Sequence, residues 1–191
     1  HGTFDGVVCD SSDVSVTKLT MRNSTVHNCQ GYGVKAVNSK LDLSNCQITN
    51  TLQNCVAVFG GDMTMKHCTL AQFYPFDSNR GAALMYANSY EGVSLPLVRM
   101  ECVNSIVTGY GEDMVMAVNS DEDGGVPFNY RFVNSLLRTE KVEGDDNLVG
   151  IIWEDVTAED VDTSAVMGEE NFRLVDIDMQ RYDFHLDSLS Y

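Results

Sequence analysis

The chain has 191 residues and a formal net charge of −16, from 28 acidic and 12 basic side chains. Nucleic acid is bound largely through Lys and Arg contacts to phosphate, so this balance argues against a nucleic-acid partner. It also disfavours polyanionic glycans unless a divalent cation bridges the like charges. The sequence has no apolar run of about 18 residues, so it predicts no membrane-spanning helix.

A six-residue motif recurs along the chain. Its three clearest copies occupy residues 21–26, 43–48 and 65–70, and weaker copies occupy 102–107 and 132–137. The first two intervals, measured between Asn23, Asn45 and His67, are both 22 residues (45 − 23 and 67 − 45). A fixed period in the range of about 20–50 residues is typical of a stacked solenoid.

Each coil of the solenoid is predicted to be made of short strands joined by corners. Leu19 and Met21 alternate with polar residues, which is the pattern of a strand with one buried face. Asn23 follows, and asparagine tolerates left-handed backbone. Residues 31–37 are glycine-rich and β-branched, which favours strand over the helix of a leucine-rich repeat. The predicted fold is therefore all-β, a right-handed parallel β-helix solenoid of about 22 residues per basic coil with inserted loops.

Stacked coils place equivalent side chains in ladders. The predicted interior ladders are Leu19/Leu41/Met63, Met21/Leu43/Met65/Cys102/Phe132 and Val26/Ile48/Leu70/Val107/Leu137. Asparagines at two corners predict ladders of side-chain amides, with His67 taking one asparagine position in a structural role. Cys46 and Cys68 share a repeat position that other copies fill with serine. We therefore expect buried free thiols rather than disulfides or metal ligands.

With its asparagine ladders and alternating inward aliphatics, the sequence resembles the pectin-lyase-like family of right-handed parallel β-helices. More narrowly, it is similar to β-helix repeat proteins exported to the surface of gut-type bacteria, many of them lipoproteins. The resemblance covers residues 13–155 as coils and 171–191 as a closing segment. It implies one β-helix domain over residues 1–191, with coils at about 13–155 and a terminal segment at about 156–191, as the C-terminal part of a longer chain. It also implies export to the bacterial cell surface or outer membrane.

Departures from the 22-residue spacing mark insertions, which in repeat proteins tend to carry binding surfaces. Two of them, near residues 90–97 and 121–129, fall at one corner of consecutive coils and are predicted to touch. A third, residues 73–80, is the predicted ligand-binding loop, because aromatic rings stack on sugars and polar groups direct hydrogen bonds. Its candidate residues are Phe73, Tyr74, Phe76, Asp77 and Arg80. The alternative is that the loop folds back and its aromatics cap the coil edge.

Acidic turns at residues 121–125 and 144–147 offer oxygen ligands for calcium, but neither has the spacing of a complete calcium loop. We expect both to be solvated turns and no cofactor to be required. The acidic stretch from Glu154 to Asp162 is predicted to be an exposed loop.

Catalysis by a lyase would need a cation to neutralise a uronate carboxylate and a base to abstract a proton. Lys18, Lys40, Asp62 and Arg99 occupy equivalent outward positions and would form such a row on one sheet. The alternative is an ordinary charged, solvated sheet surface. Glycoside hydrolysis needs two carboxylates about 5–9.5 Å apart, which so acidic a chain could supply by chance.

Three functional hypotheses remain. The favoured one is a non-catalytic cell-surface β-helix that binds a polysaccharide or docks with a surface protein in a larger outer-membrane assembly. The second is a polysaccharide lyase or glycoside hydrolase. The third is a structural segment that stacks on another β-helical piece, because an uncapped coil leaves backbone groups unpaired.

Overall fold

The computed structural model describes residues 4–121, 123–154 and 169–188. Within these ranges the chain is all-β, apart from one 3₁₀ turn at Glu169–Asn171. The strands are β1 (Val7–Cys9), β2 (Leu19–Arg22), β3 (Thr25–His27), β4 (Val34–Ser44), β5 (Gln47–Thr49), β6 (Val56–Lys66), β7 (Thr69–Gln72), β8 (Leu84–Ala87), β9 (Ser89–Tyr90), β10 (Val93–Ser94), β11 (Leu97–Val103), β12 (Ile106–Gly109), β13 (Val115–Val118), β14 (Phe128–Val133), β15 (Leu136–Leu137), β16 (Leu148–Val149), β17 (Ile152–Trp153), β18 (Phe172–Asp176) and β19 (Arg181–Leu186). In the described residues, no helix is long and apolar enough to cross a membrane.

The strands of successive coils pair in parallel and form three faces. Face 1 consists of β1, β8, β13 and the first halves of β4 and β6. Face 2 consists of β2, β11, β14, β16 and the second halves of β4 and β6. Face 3 is the stack of β3, β5, β7, β12, β15 and β17. The predicted parallel β-helix is confirmed.

The corner between faces 2 and 3 is built from residues with left-handed backbone. The non-glycine members are Asn23, Asn45, His67, Asn104 and Asn134, with φ between 47° and 53°. Asparagine populates this region more readily than most residues. Asn45 Nδ2 donates to Asn23 Oδ1 at 2.8 Å, so neighbouring coils are joined by a side-chain amide as predicted. At the corner after face 1, Asn88 Nδ2 makes the equivalent bond to Asn119 Oδ1 at 2.7 Å.

A second ladder lies one residue beyond this corner. Each of its side chains donates a hydrogen bond to the carbonyl oxygen two residues earlier, which closes the turn. The members are Ser24, Cys46, Cys68, Ser105 and Ser135. All six cysteines of the chain are buried free thiols, as expected.

The predicted interior ladders are confirmed. The parallel registers align their members coil by coil. From the second coil onward these side chains are at most 2% exposed, whereas Leu19, Met21 and Val26 of the first coil are half-buried. Full burial of one such side chain contributes about 1.5–3 kcal/mol, so each coil is stabilised chiefly by its neighbours.

The two insertions predicted to touch do so at their bases. The backbone N–H of Leu97 donates to Pro127 O at 2.9 Å, and Asn88 Nδ2 reaches Val126 O at 3.3 Å. The first insertion contains the antiparallel pair of β9 and β10, which folds back over the outside of face 1. There the ring of Tyr90 lies 4.7 Å from that of Phe59.

The closing segment is an antiparallel hairpin of β18 and β19, which we call the C-terminal hairpin. It packs across the outer surface of face 3, in an apolar cluster with Ala71 and Ile106. Most of the predicted exposed stretch after residue 154 lies outside the described residues. For Glu154 itself the prediction is wrong, because its side chain is buried and paired with the buried Arg138 at 3.5 Å.

Glu154 sits in a polar network that ties the last coils to the start of the hairpin. Thr108 Oγ1 donates to its carboxylate at 2.7 Å, and the Asn171 side chain also hydrogen-bonds to it. Burial raises the pKa of the Glu154 carboxyl above its ordinary value. A buried carboxylate needs such partners, because desolvating it alone is costly.

Candidate functional site

Phe73, at the start of the predicted ligand loop, is fully buried. Its ring stacks on Phe184 with centroids 6.2 Å apart and meets Phe172 edge-on at 6.3 Å. These contacts attach the C-terminal hairpin to face 3. The hairpin covers the Phe73 ring, so Phe73 is not an exposed stacking surface and takes part only as a buried residue in the lining of the hollow described below.

The next two aromatic residues of the loop differ in exposure. Tyr74 is only 8% exposed, whereas Phe76 is 65% exposed. Their rings meet edge-on, with centroids 5.4 Å apart. Tyr74 therefore supports Phe76 from below, and Phe76 presents the free aromatic surface of the loop.

The polar side chains of the loop hold its shape. Arg80 Nη1 donates to the carbonyl oxygens of Tyr74 and Asp77, at 3.3 Å and 3.1 Å. Asp77 Oδ1 accepts the backbone N–H of Asn79 at 2.8 Å. Burial lowers the pKa of the Arg80 guanidinium from its ordinary value. Both residues were predicted to bind ligand directly, but the bonds they make in this structure are internal to the loop.

Tyr110 completes the site and was not predicted from the sequence. Arg80 Cζ lies 4.2 Å from the centre of the Tyr110 ring, which is the geometry of a cation–π contact. The Tyr110 side chain is 46% exposed. Because Gly109 pairs with Gln72, Tyr110 occupies the repeat position of Phe73 in the following coil. The repeat spacing could have revealed this equivalence. The corner residues His67 and Asn104 are 37 residues apart, and Phe73 and Tyr110 are separated by the same 37 residues (110 − 73).

Tyr74, Arg80 and Tyr110 line an open hollow between the loop and the hairpin, which we call the aromatic cleft. Its volume is about 270 Å³. It is lined by Phe73, Tyr74, Pro75, Ser78, Arg80, Tyr110 and Ile177. It adjoins a second hollow of about 300 Å³ between Tyr110 and residues 175–178, where Asp176 and Asp178 add carboxylates.

The predicted catalytic row is aligned across face 2, but its members are engaged with one another. Asp62 Oδ1 accepts from Arg99 Nε at 2.8 Å, and its Oδ2 accepts from Arg99 Nη2 at 3.1 Å. Lys40 Nζ lies 3.5 Å from the same carboxylate. Lys18 Nζ donates instead to the carbonyl oxygen of Asp10 at 2.8 Å. These pairs match the alternative interpretation, a charged sheet surface.

The second acidic turn is held by its own hydrogen bonds. Asp145 Oδ1 accepts from the backbone and side-chain nitrogens of Asn147, and its Oδ2 accepts from the Tyr130 hydroxyl. The first turn includes Glu122, which lies outside the described residues. Across the described ranges, no three His, Cys, Asp or Glu side chains are grouped closely enough to hold a metal ion.

Comparison with known proteins supports the fold. Residues 5–94 match a family model described as a right handed beta helix region. No curated protein matches the chain. One solved structure, of a trypsin-treated variant of the plasmid-mediated fluoroquinolone resistance protein QnrB1, is 10% identical, with 80% of this chain and 91% of that chain covered. Its TM-score is 0.20, so that likeness carries no argument here. From the three faces of parallel strands, together with the family match over residues 5–94, we conclude that the protein has the fold of a right-handed parallel β-helix repeat protein.

Proposed function

We propose that this protein is a non-catalytic β-helix that binds carbohydrate, and that the aromatic cleft binds a neutral glycan. The observation that carries the proposal is a pair of exposed aromatic rings at the cleft: Tyr110, which lines it, and Phe76, whose ring contacts the lining residue Tyr74. Flat aromatic surfaces bury the apolar face of a sugar ring at low conformational cost. Arg80 holds the Tyr110 ring in place before any ligand arrives.

The charge of the molecule supports a neutral glycan over an acidic one. The net charge is −16, and Asp176 and Asp178 border the cleft. Arg80 already donates to two loop carbonyls and stacks on Tyr110. A uronate would therefore meet like charges, and the described residues that line the cleft include no cation besides Arg80 to offset them.

Affinity electrophoresis of the whole chain tests the proposal. Migration would be compared in gels that contain hydroxyethylcellulose, galactomannan or polygalacturonate. We expect a neutral polysaccharide to retard the protein, and Phe76→Ala or Tyr110→Ala to weaken binding at least tenfold. Loss of a well-placed aromatic contact at an interface costs about 2 kcal/mol or more.

Phe4→Ala is the matched control. Phe4 is 66% exposed, as much as Phe76, but among the described residues no ring contact joins it to the cleft, whereas Phe76 contacts the lining residue Tyr74. It should leave retardation unchanged, and circular dichroism should show all three variants folded. Retardation that is equal for Phe76→Ala, Tyr110→Ala and Phe4→Ala would rule out the aromatic cleft as the site.

The pairing of Lys40 and Arg99 with Asp62 supports a non-catalytic role, because a catalytic row needs a base that is not neutralised by its neighbour. A lyase would produce unsaturated uronates, which absorb in the ultraviolet. Incubation with pectin, alginate and glycosaminoglycans in the presence of calcium should produce no such absorbance. An increase that Lys40→Ala or Arg99→Ala abolishes would restore the lyase hypothesis.

A second candidate function is stacking on another β-helical coil. Leu19, Met21 and Val26 belong to the interior ladders but are only half-buried, unlike their equivalents one coil later. A parallel coil in register would cover them and pair with the backbone of β2 and β3. Hydrogen exchange on the isolated chain tests this, since a monomer with a protected first coil would contradict it.

The resemblance to exported bacterial surface proteins motivates two further proposals. We propose that the protein acts at the bacterial cell surface, and that a surface polysaccharide or a protein of a larger outer-membrane assembly is its partner. Protease accessibility on intact cells of the source organism would test this location, with digestion expected before lysis.

A further inference from the structure

A groove runs along the other side of the C-terminal hairpin, between β19 and the outer surface of β3 and β5. We call it the polar groove. Its volume is about 350 Å³, within the range of small-molecule sites. It is lined by Thr25, His27, Asn28, Gln47, Thr49, Asn50, Gln180, Tyr182, Asp183, Phe184 and His185. None of these residues belongs to the aromatic cleft.

The coil wall of the polar groove carries hydrogen-bonding side chains in two rows, of which Thr25, His27 and Gln47 are accessible, whereas Thr49 is 1% exposed. Thr25 is in register with Gln47, and His27 with Thr49. Neighbouring strands are about 4.8 Å apart, so each row repeats its polar groups at that spacing. Hydroxyls and amides both donate and accept hydrogen bonds, and this wall therefore suits a ligand that is rich in hydroxyl groups.

The charge of the lining residues favours a neutral ligand. No Lys or Arg is among the described residues that line the groove. The carboxylate among these described lining residues, Asp183, is hydrogen-bonded to the His185 ring and to the His185 backbone N–H. An anionic ligand would need a cation that this wall does not supply, and a cationic ligand would have to compete with His185 for Asp183.

Tyr182 gives an independent indication of a ligand. Its ring stacks on Phe184 with centroids 5.6 Å apart and planes 9° from parallel. Its hydroxyl group is buried and has no hydrogen-bond partner among the described residues. Buried polar atoms in native proteins nearly always have a partner, so this hydroxyl lacks a group that a bound molecule could supply.

We propose that the polar groove is a second carbohydrate site, for a short neutral saccharide, and that it works independently of the aromatic cleft. The saccharide hydroxyls bond to the rows on β3 and β5 and to the Tyr182 hydroxyl. Tyr182 pairs across the hairpin with Val175, which lines the hollow beside the cleft. The polar groove therefore lies along β19, whereas the hollow beside the cleft lies along β18 of the same hairpin.

Nuclear magnetic resonance titration of the ¹⁵N-labelled whole chain tests this site. The probes are cellotetraose, mannotetraose and maltotetraose, with tri-galacturonate as the anionic arm. We expect one neutral probe to cause saturable shifts at residues 25–28, 47–50 and 180–185. Gln47→Ala should weaken this binding at least fivefold, whereas Tyr110→Ala should leave it unchanged.

The substitution Tyr182→Phe tests whether the Tyr182 hydroxyl binds a saccharide or only takes part in packing. Removing an unpaired hydroxyl should raise the melting temperature of the free protein, and it should weaken saccharide binding in the polar groove. A higher melting temperature with unchanged affinity would overturn the assignment of this hydroxyl to a ligand.

Two results would overturn the site as a whole. One is the absence of saturable shifts in the polar groove with every neutral probe. The other is tighter binding of tri-galacturonate than of any neutral sugar. Either result could occur while Phe76 and Tyr110 still bind glycan, so failure of this site is distinguishable from failure of the aromatic cleft.

Discussion

At the scale of the residue, the fold depends on positions that adopt a left-handed backbone at one corner of every coil. The corner could be predicted from the sequence because asparagine tolerates left-handed backbone. The asparagines at this corner are Asn23, Asn45, Asn104 and Asn134. His67 keeps the same backbone, with φ of 53°. Histidine replaces the asparagine of the other coils at this position, but the backbone keeps the same positive φ angle.

We therefore predict opposite effects for two substitutions at His67. His67→Val should lower the free energy of unfolding by about 1–2 kcal/mol, because a β-branched residue strains left-handed backbone. His67→Asn should be neutral or stabilising. Urea denaturation measures both, with His27→Val as the control on an ordinary strand position. Equal effects of valine at the two positions would contradict this account of the corner.

The buried thiols give a second prediction at this scale. Burial raises the pKa of Cys55 and of Cys102 to about 12, so the reactive thiolate is scarce near neutral pH. Iodoacetamide should label Cys9 and Cys29 of the first coil before these two. Mass spectrometry of timed samples would show the order, and early labelling of Cys55 would contradict the predicted burial.

At the scale of the element, the sequence predicted the periodic ladders of the coils but not the packing of the hairpin against them. Leu41, Leu43 and Ile48 could be assigned to interior ladders because each repeats at a short, fixed interval. The aromatic cleft joins the 73–80 loop to Tyr110 and Ile177. Ile177 reaches the cleft only because the hairpin folds back onto face 3, a contact that no repeat spacing encodes. Burial of Phe73 has the same origin.

The hairpin should detach without unfolding the coils. Phe184 stacks on Phe73 of the coils and contacts Phe172 and Tyr182 within the hairpin, so it links the aromatic cluster of the hairpin to face 3. Phe184→Ala should raise hydrogen exchange across residues 172–186 while the interior strands stay protected, at a cost of about 1–3 kcal/mol to the hairpin. Leu186→Ala, at an exposed position of β19, is the control. Unchanged exchange in Phe184→Ala would show that other contacts hold the hairpin.

At the scale of the whole molecule, stability and recognition lie in different parts. The coils supply a continuous core and a charged face 2, in which Asp62 is neutralised by Lys40 and Arg99. The loop and the hairpin are built on face 3 and enclose the hollows. The net charge of −16 disfavours anionic ligands, in keeping with the proposed preference for uncharged ones.

Hydrogen exchange of the whole chain, with and without cellohexaose, mannohexaose or xylohexaose, tests the central claim most directly. We predict that one of these neutral sugars slows exchange in residues 73–80, 108–111 and 175–178, and that mass spectrometry recovers it uncleaved. Protection confined to face 2 around Lys40 and Arg99, or cleavage of the sugar, would contradict a non-catalytic aromatic cleft.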